Sequence, residues 1–509
     1  MTEQTPPQPR NFYRTILSGS AWTVAARWGQ RVIGLISTVV LARLLTPDDF
    51  GVAGMAALSL GFIAAFTQMG LTKYIIRTPN PAREVYDTVW TIEVLRGLLV
   101  AAVLAGAAPL MAAYFNEPRI VELIYVVAVT TVVTGLMNVG VVQFRKELQF
   151  AKDFRFDLYG KLATAAVTIA LAVWLRSYWA LVLGGLAGAA LQVAISYTMS
   201  GYRPRFSLKE ARPVIDFAIP NTLALISRYL NGIAPRLIVG RIEGTGVFGL
   251  YHIASDVGAM TSGQILSILN RSMLPNFAKA REEADDFGEI VRRSVGGMLL
   301  LAAPVAFGMS AVAHDFVLLV FGAKWLGAVP LLEWIALFAF FGGLLQFLSG
   351  NLGLYPGGER HAMILGWSRL AVLVPVAAYA GITWGYQAIP VAGTAVVVAF
   401  LPLFLWCYAR LYPVTMLDLV GVVWRPLLAA GAMFAAVRAA HVQTLDWVAL
   451  RLLIDVAVGV VSYTVLVMAL WLISGRPRGL EALVVGYLAR RTGTGGQGSA
   501  RPHDTAGNR

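Results

Sequence analysis

The sequence predicts an all-α polytopic membrane protein of about 14 transmembrane helices: two pseudo-symmetric six-helix lobes around a central cavity, plus two C-terminal helices. Three observations carry this. First, hydrophobic residues make up 57% of the 509 and charged residues only 14%, and the mean hydropathy is +0.67. Apolar runs tile the chain from Leu17 to Ile473, and they reach the roughly 20 residues that a span requires. Second, Lys and Arg crowd onto every second connection. Third, a short motif recurs six spans apart, with a further pair of spans after the two halves.

In chain order the spans are expected at 18–43, 50–70, 88–114, 120–142, 158–176, 178–200, 214–238, 246–270, 294–318, 328–350, 362–384, 387–409, 418–440 and 447–473. The first follows Arg10 and Arg14 and ends at TPDDFG. There Asp48 and Asp49 read as the N-terminal cap and turn of the second span rather than as a metal pair. Lys73, Arg77 and Arg83 precede the third span. After the fourth, Gln143–Gly160 (QFRKELQFAKDFRFDLYG) is basic with interleaved Phe, and Pro275–Arg293 (PNFAKAREEADDFGEIVRR) has a similar character. Each fits either an amphipathic segment on the membrane surface or an ordinary solvated loop. In the sixth span Gly184 and Gly188 form a GxxxG, which close helix packing explains.

One set of connections also holds Arg145, Lys146, Arg203, Arg205, Lys209, Arg212, Arg360, Arg410 and the basic tail. The opposite set holds only Arg43, Arg119, Arg176, Arg241, Lys324, Arg438 and Arg451, a roughly fourfold asymmetry. It places the richer side, and with it both termini, in the cytoplasm. The net charge of +13 is thus a topology signal with a secondary attraction for membrane lipids, and no nucleic-acid partner is assigned. The expected division is a cytoplasmic tail (1–14), an N-lobe with spans 1–6 (15–205), a C-lobe with spans 7–12 (206–410), spans 13–14 (411–475) and a cytoplasmic tail (476–509). The ends of both tails, Met1–Pro9 and Thr492–Arg509, are polar and Gly/Pro-rich and are expected to be disordered. The N-terminus lacks a cleavage signal, so the first span is expected to remain as an anchor. The single cysteine, Cys407, excludes a disulfide framework.

The recurring motif is ARLLTPDDFGVAGMA from Ala42 and GRIEGTGVFGLYHIA from Gly240. Arg43, Phe50 and Gly51 align without a gap on Arg241, Phe248 and Gly249. An even number of spans separates the copies, so both run the same way through the membrane. That implies parallel repeats related by an axis along the membrane normal, with a cavity between them.

Ionisable groups within spans are costly and usually face a bundle interior or a wet cavity. Arg27 and Arg31 lie one turn apart on the first span, and Arg228 and Arg236 two turns apart on the seventh, its equivalent in the second half. Together with Arg96 and Arg369 they are the candidate cationic cavity; guanidinium forks suit bidentate binding of phosphate and diphosphate oxygens. The competing reading is that Glu93 pairs with Arg96 on its own helix and that other cations snorkel or pair across helices. Arg425, Glu333 and Asp455 are further charges within spans. Glu93 and Asp256 are candidates for a coupling Na+ or H+, though simple Arg partners are equally compatible with their types. Pro220 and Pro235 bracket the seventh span as candidate hinges, since proline frees a carbonyl and kinks a helix. No catalytic residues, metal ligands or cofactor motif are assigned: there is no P-loop, serine nucleophile motif or His/Cys cluster. The chain does not read as an enzyme.

The stretch Gly19–Leu71, GSAWTVAARWGQRVIGLISTVVLARLLTPDDFGVAGMAALSLGFIAAFTQMGL, resembles the polysaccharide-transporter family of bacterial lipid-linked oligosaccharide flippases. That family lies in the multidrug/oligosaccharidyl-lipid/polysaccharide exporter superfamily. Val141–Phe154, VVQFRKELQFAKDF, is similar to the family's loop after span four. The resemblance implies two six-helix lobes facing a cavity, often with two extra helices, in the bacterial inner (cytoplasmic) membrane. It implies movement of an undecaprenyl-diphosphate-linked glycan to the outer leaflet by alternating access, for exopolysaccharide, O-antigen or capsule. It also implies work beside a polysaccharide polymerase and co-polymerase. Arg27, Arg31 and Arg228 sit where such cavity cations are expected. The rival readings are a cation-coupled multidrug or metabolite antiporter of the same superfamily and, less favoured by the short outer connections, a membrane glycan polymerase or ligase.

Overall fold

A computed structural model describes residues 29–67, 71–147, 149–260, 287–352, 358–411, 415–440 and 446–475. Among them no strand occurs, and the chain groups by packing into two compact units. The first (Met1–Ala259 and Ala313–Phe404) contains α1 (29–44), α2 (Pro47–Thr67), α3 (Leu71–Arg77), α4 (Arg83–Phe115), α5 (Ile120–Gly135), α6 (Val142–Lys146), α7 (Phe150–Leu175), α8 (Trp179–Met199), α9 (Ala211–Ile242) and α10 (245–260). It continues with α12 (Ala313–Val320), α13 (Val329–Leu352), α14 (Gly358–Trp384) and α15 (Ala388–Leu411) as far as Phe404. The second unit (Met260–Val312 and Leu405–Arg509) contains α11 (Phe287–Ala311), α16 (Met416–Ala440) and α17 (Val448–Ile473).

Ten helices among the described residues are long and apolar enough to cross a membrane, or eleven if the pair Ile120–Gly135 and Val139–Lys146, bent by 61°, forms one broken span. The expected count of about 14 is therefore not reached on this criterion. Expected spans one and eight correspond to α1 and α10, which are described only over 29–44 and 245–260. Expected span seven is α9, long enough but not among the ten; Arg212, Asp216, Arg228, Arg236 and Arg241 punctuate it.

The second span starts at the expected motif, but Thr46 and Asp49 form its cap and Asp48 instead accepts from Arg119. Thr46 N donates to Asp49 Oδ2 (2.9 Å) and Asp49 N donates to Thr46 Oγ1 (3.2 Å), a reciprocal cap around Pro47 at the first helical position. Thr415 and Asp418 repeat this device at the start of α16. The GxxxG of α8 packs as expected: a methyl group on Gly184 or Gly188 would collide with Thr168 or Thr164 of α7.

The fourth span differs from the expected straight helix over 120–142. It breaks because Asn138 takes over backbone bonding: its Oδ1 accepts from Gly140 N (2.8 Å), its backbone N donates to Ser196 Oγ (3.0 Å) and its Nδ2 donates to Tyr202 O (2.7 Å). Asn side chains compete with the helix ladder in this way. The segment Gln143–Gly160 belongs to α6 and to the first turns of the long α7, not to a separate surface helix; Arg145 Nε donates to Asp153 Oδ1 (2.8 Å) across the junction. Most of Pro275–Arg293 and both tails lie outside the described residues.

The connection from α8 to α9 is strapped to α4. Asp87 accepts from the Tyr202 hydroxyl and from Arg205 N (2.8 Å), Thr91 Oγ1 accepts from Ser207 N (3.0 Å) and Thr88 Oγ1 from Glu210 N (3.3 Å). Burial first, and then the Asp87 hydrogen bond, push the Tyr202 hydroxyl up from its ordinary pKa. Asp87→Ala removes the acceptor of two donors, and an orphaned buried donor costs about 1–3 kcal/mol. We expect trypsin to cut after Arg205 markedly faster in this variant, read by the peptide released from the otherwise intact protein.

At the sparsely charged end of the first unit, the two motif copies meet reciprocally. A Cβ on Gly51 would overlap the backbone carbonyl of Thr245, and a Cβ on Gly249 would overlap that of Pro47. Thr245 occupies the second copy's position equivalent to Pro47, so the contact is its own mirror under the repeat. This close approach is the physical signature of a pseudo-two-fold axis at this end of the bundle. Around it, Arg119 Nη1 donates to Asp48 Oδ2 (2.9 Å), Arg119 Nε donates to Glu117 Oε1 (2.8 Å), and the Thr245 hydroxyl donates to Asp48. Nearby, helix ends cap one another. Arg43 Nη2 donates to Leu319 O (2.6 Å), Trp325 Nε1 to Ala42 O (2.9 Å) and Lys324 Nζ to Arg43 O (3.0 Å), satisfying terminal carbonyls of α1 and α12. Cations of the expected outer set thus close this end.

Hydrogen bonds from Arg119 hold the Glu117 carboxyl below its ordinary pKa. A depressed carboxyl stabilises above its unfolded value and loses that contribution as pH falls through the folded value. The closure is therefore expected to be intact at neutral pH and to loosen progressively as pH falls through the ordinary carboxylate range toward the lower folded value. Mobility of a nitroxide on Gly246→Cys, in a Cys407→Ala background and titrated downward from neutral pH, reports this.

Candidate cationic cavity

The cavity is built from three helix faces of the first unit. On α9, Arg228, Gly232 and Arg236 recur every fourth residue and share one face. On α10, Phe248, His252 and Asp256 do the same. On α2, Gly54, Ala57 and Leu58 leave room. A cavity of about 390 Å³ opens between them, lined by these α9 and α2 residues with Tyr229, Ile233, Phe248 and His252. Its size falls at the lower end of ligand pockets, which run about 300–1,000 Å³. Gly54 keeps this wall close: a Cβ would press on the Phe248 and His252 rings at 3.0 and 3.4 Å.

Arg228 is exposed to this space, and Arg236 lies beside Asp256, with Nη2 3.8 Å from Oδ1. His252 Nε2 stands 3.9 Å from Asp256 Oδ2. Arg31 of α1 is half-buried and within electrostatic reach of Asp256; among the described residues no acceptor meets its buried Nε. Two guanidinium groups about 12 Å apart along α9 and no carboxylate thus form the wall, with one carboxylate behind Arg236.

The other sequence candidates fall elsewhere. Arg27 lies outside the described residues. Arg96 and Glu93 pair with each other on α4 (Nη2–Oε2 2.7 Å) and do not line the cavity, as the same-helix reading anticipated. Arg369 does not line it either: its Nε donates to Asn231 Oδ1 (2.7 Å), while Asn231 Nδ2 donates to Ser227 O and Gly366 O (both 2.9 Å), tying α14 to α9. Pro220 and Pro235 both lie within the continuous α9, and Pro235 is buried. No cluster of metal-binding side chains occurs among the described residues. His252 was missed in the sequence reading; its signal is the fourfold register Phe248, His252, Asp256 in the second motif copy.

A multi-helix bundle with small-residue helix contacts, paired repeats and a guanidinium-lined cavity has the build of a multi-pass membrane transporter. The chain belongs to the polysaccharide biosynthesis protein family, whose model matches residues 40–330. It is 24% identical over 468 residues to the succinoglycan biosynthesis transport protein ExoT of Rhizobium meliloti (strain 1021), covering 89% of this chain and 93% of that protein. It is 25% identical over 347 residues to the lipopolysaccharide biosynthesis protein WzxC of Escherichia coli (strain K12), covering 66% and 68%. Its fold is similar to that of the lipid II flippase MurJ in an inward closed conformation, with TM-score 0.67, 13% identity and coverage of 89% and 98%. The Vibrio cholerae MATE transporter VcmN is more distant, with TM-score 0.51 and 11% identity over 78% of this chain.

Proposed function

We propose that this protein is a flippase that moves an undecaprenyl-diphosphate-linked oligosaccharide repeat unit across the bacterial inner membrane for surface polysaccharide synthesis. The observation that carries the reading is the cavity wall, where Arg228 and Arg236 face an open space without a carboxylate among its lining residues. Such a wall suits an anionic diphosphate headgroup. An antiporter of organic cations calls for the opposite sign. Transport proceeds by alternating access, with the Gly51–Thr245 contact as the shut outer end. Both termini face the cytoplasm, a Na+ or H+ gradient supplies the driving force, and the product feeds a polymerase and its co-polymerase. The relatives named as a succinoglycan biosynthesis transport protein and a lipopolysaccharide biosynthesis protein support the substrate class.

The test is to delete the gene and extract lipid-linked glycans. A complete repeat unit trapped on the cytoplasmic leaflet, with polymer lost, is expected. Normal polymer with no lipid-linked build-up sinks the reading.

A further inference from the structure

The ion pairs of the first unit fall into two kinds. Arg96–Glu93 and Arg119–Asp48 are tight, at 2.7 and 2.9 Å, within the range of charge-assisted hydrogen bonds. Arg83–Asp87 and Arg145–Asp157 are looser, at 3.6 Å, and Asp256 is the most loosely held. Its oxygens stand 3.8 Å from Arg236 and 3.9 Å from His252, beyond hydrogen-bond reach, and its side chain is 48% exposed. Arg31 lies within its electrostatic reach, with an Nε that no described acceptor meets. One loosely held carboxylate therefore sits among three groups able to carry positive charge, next to a cavity wall that has none.

We propose that Asp256 is the resident counter-ion of the cavity: it neutralises Arg236 and Arg31 while the site is empty and is displaced from them by the diphosphate of the substrate. This rests on the flippase reading of the same site. A carboxylate at this distance lowers the self-repulsion of the cationic cluster without forming the short hydrogen bonds that would make it hard to replace. A diphosphate offers more acceptor oxygens in the fork geometry that guanidinium groups prefer, so it outcompetes the carboxylate on arrival. When the diphosphate leaves, Asp256 reoccupies the cluster, which favours release. The carboxylate is thus a positioning residue that limits affinity.

This predicts a gain where loss of an ordinary binding residue gives a deficit. Inorganic pyrophosphate binding to the purified full-length protein in nanodiscs is measured by calorimetry. Asp256→Asn is expected to tighten binding about tenfold, Asp256→Glu to stay near the parent protein, and Arg236→Ala to weaken it at least tenfold. Asp256→Ser serves as the second neutral variant if Asn impairs insertion. Equal or weaker pyrophosphate binding in the neutral variants overturns the proposal, as does absence of binding to every form. The flippase reading is judged separately, by where the repeat unit accumulates in the deletion strain: trapped glycan together with unchanged pyrophosphate affinity in Asp256→Asn refutes the counter-ion role alone.

Discussion

Gly51→Ala is expected to open the sparsely charged end of the first unit. A methyl group at Gly51 overlaps the Thr245 carbonyl, and backbone cannot step aside as a flexible side chain does. Overpacking of this kind costs about 1–3 kcal/mol. If the closed and open states are in equilibrium, about 1.4 kcal/mol changes their ratio tenfold. The readout is maleimide labelling of Gly246→Cys in a Cys407→Ala background, a position where a Cβ meets nothing. Labelling at least tenfold faster than with Gly51 intact is expected. The reciprocal Gly249→Ala should behave alike, because it strikes the Pro47 carbonyl. Gly106→Ala is the control: it lies within α4 with open space around it, and Ala there stabilises the helix by about 0.5–1 kcal/mol. Unchanged labelling in both contact variants would show that the reciprocal approach does not hold this end shut.

Replacing both Arg228 and Arg236 by Ala is expected to abolish polymer export while leaving insertion intact. Both residues line the cavity. Each hydrogen bond to a charged group contributes about 1.5–3 kcal/mol, so losing two cationic contacts to a diphosphate weakens binding by more than a hundredfold. Stability should change little, because among the described residues no tight ion pair is broken: the ion pair of Arg236 there is the loose one with Asp256. Arg96→Ala is the instructive contrast. It removes the partner of Glu93 on α4, so it should alter local stability and leave export near normal. Surface polysaccharide and membrane-fraction abundance, measured together in complemented deletion cells, separate the two outcomes. Full export by the double variant would remove these arginines from the substrate path.

The class of the molecule was legible in its residues alone. Hydropathy and charge asymmetry act over one span and its flanks, so they survive any arrangement of the helices. The Thr46–Asp49 cap, the Gly184–Gly188 packing stripe and the Glu93–Arg96 pair are equally local, all spaced three or four residues apart. What tertiary structure added are contacts between helices distant in sequence. Arg96 and Arg236 are the same residue type in similar apolar surroundings, yet one has a tight partner on its own helix and the other faces a cavity. That difference depends on how α2, α9 and α10 come together. The bend at Asn138 needs Ser196 and Tyr202 to arrive from elsewhere, and His252 joins Asp256 to the cavity only because the second motif copy packs against the first. Three aligned residues, Arg43, Phe50 and Gly51 with their counterparts, announced the repeat. The fit of two glycines against opposite backbone carbonyls made it a contact, because only residues without a side chain allow two helix starts to approach that closely.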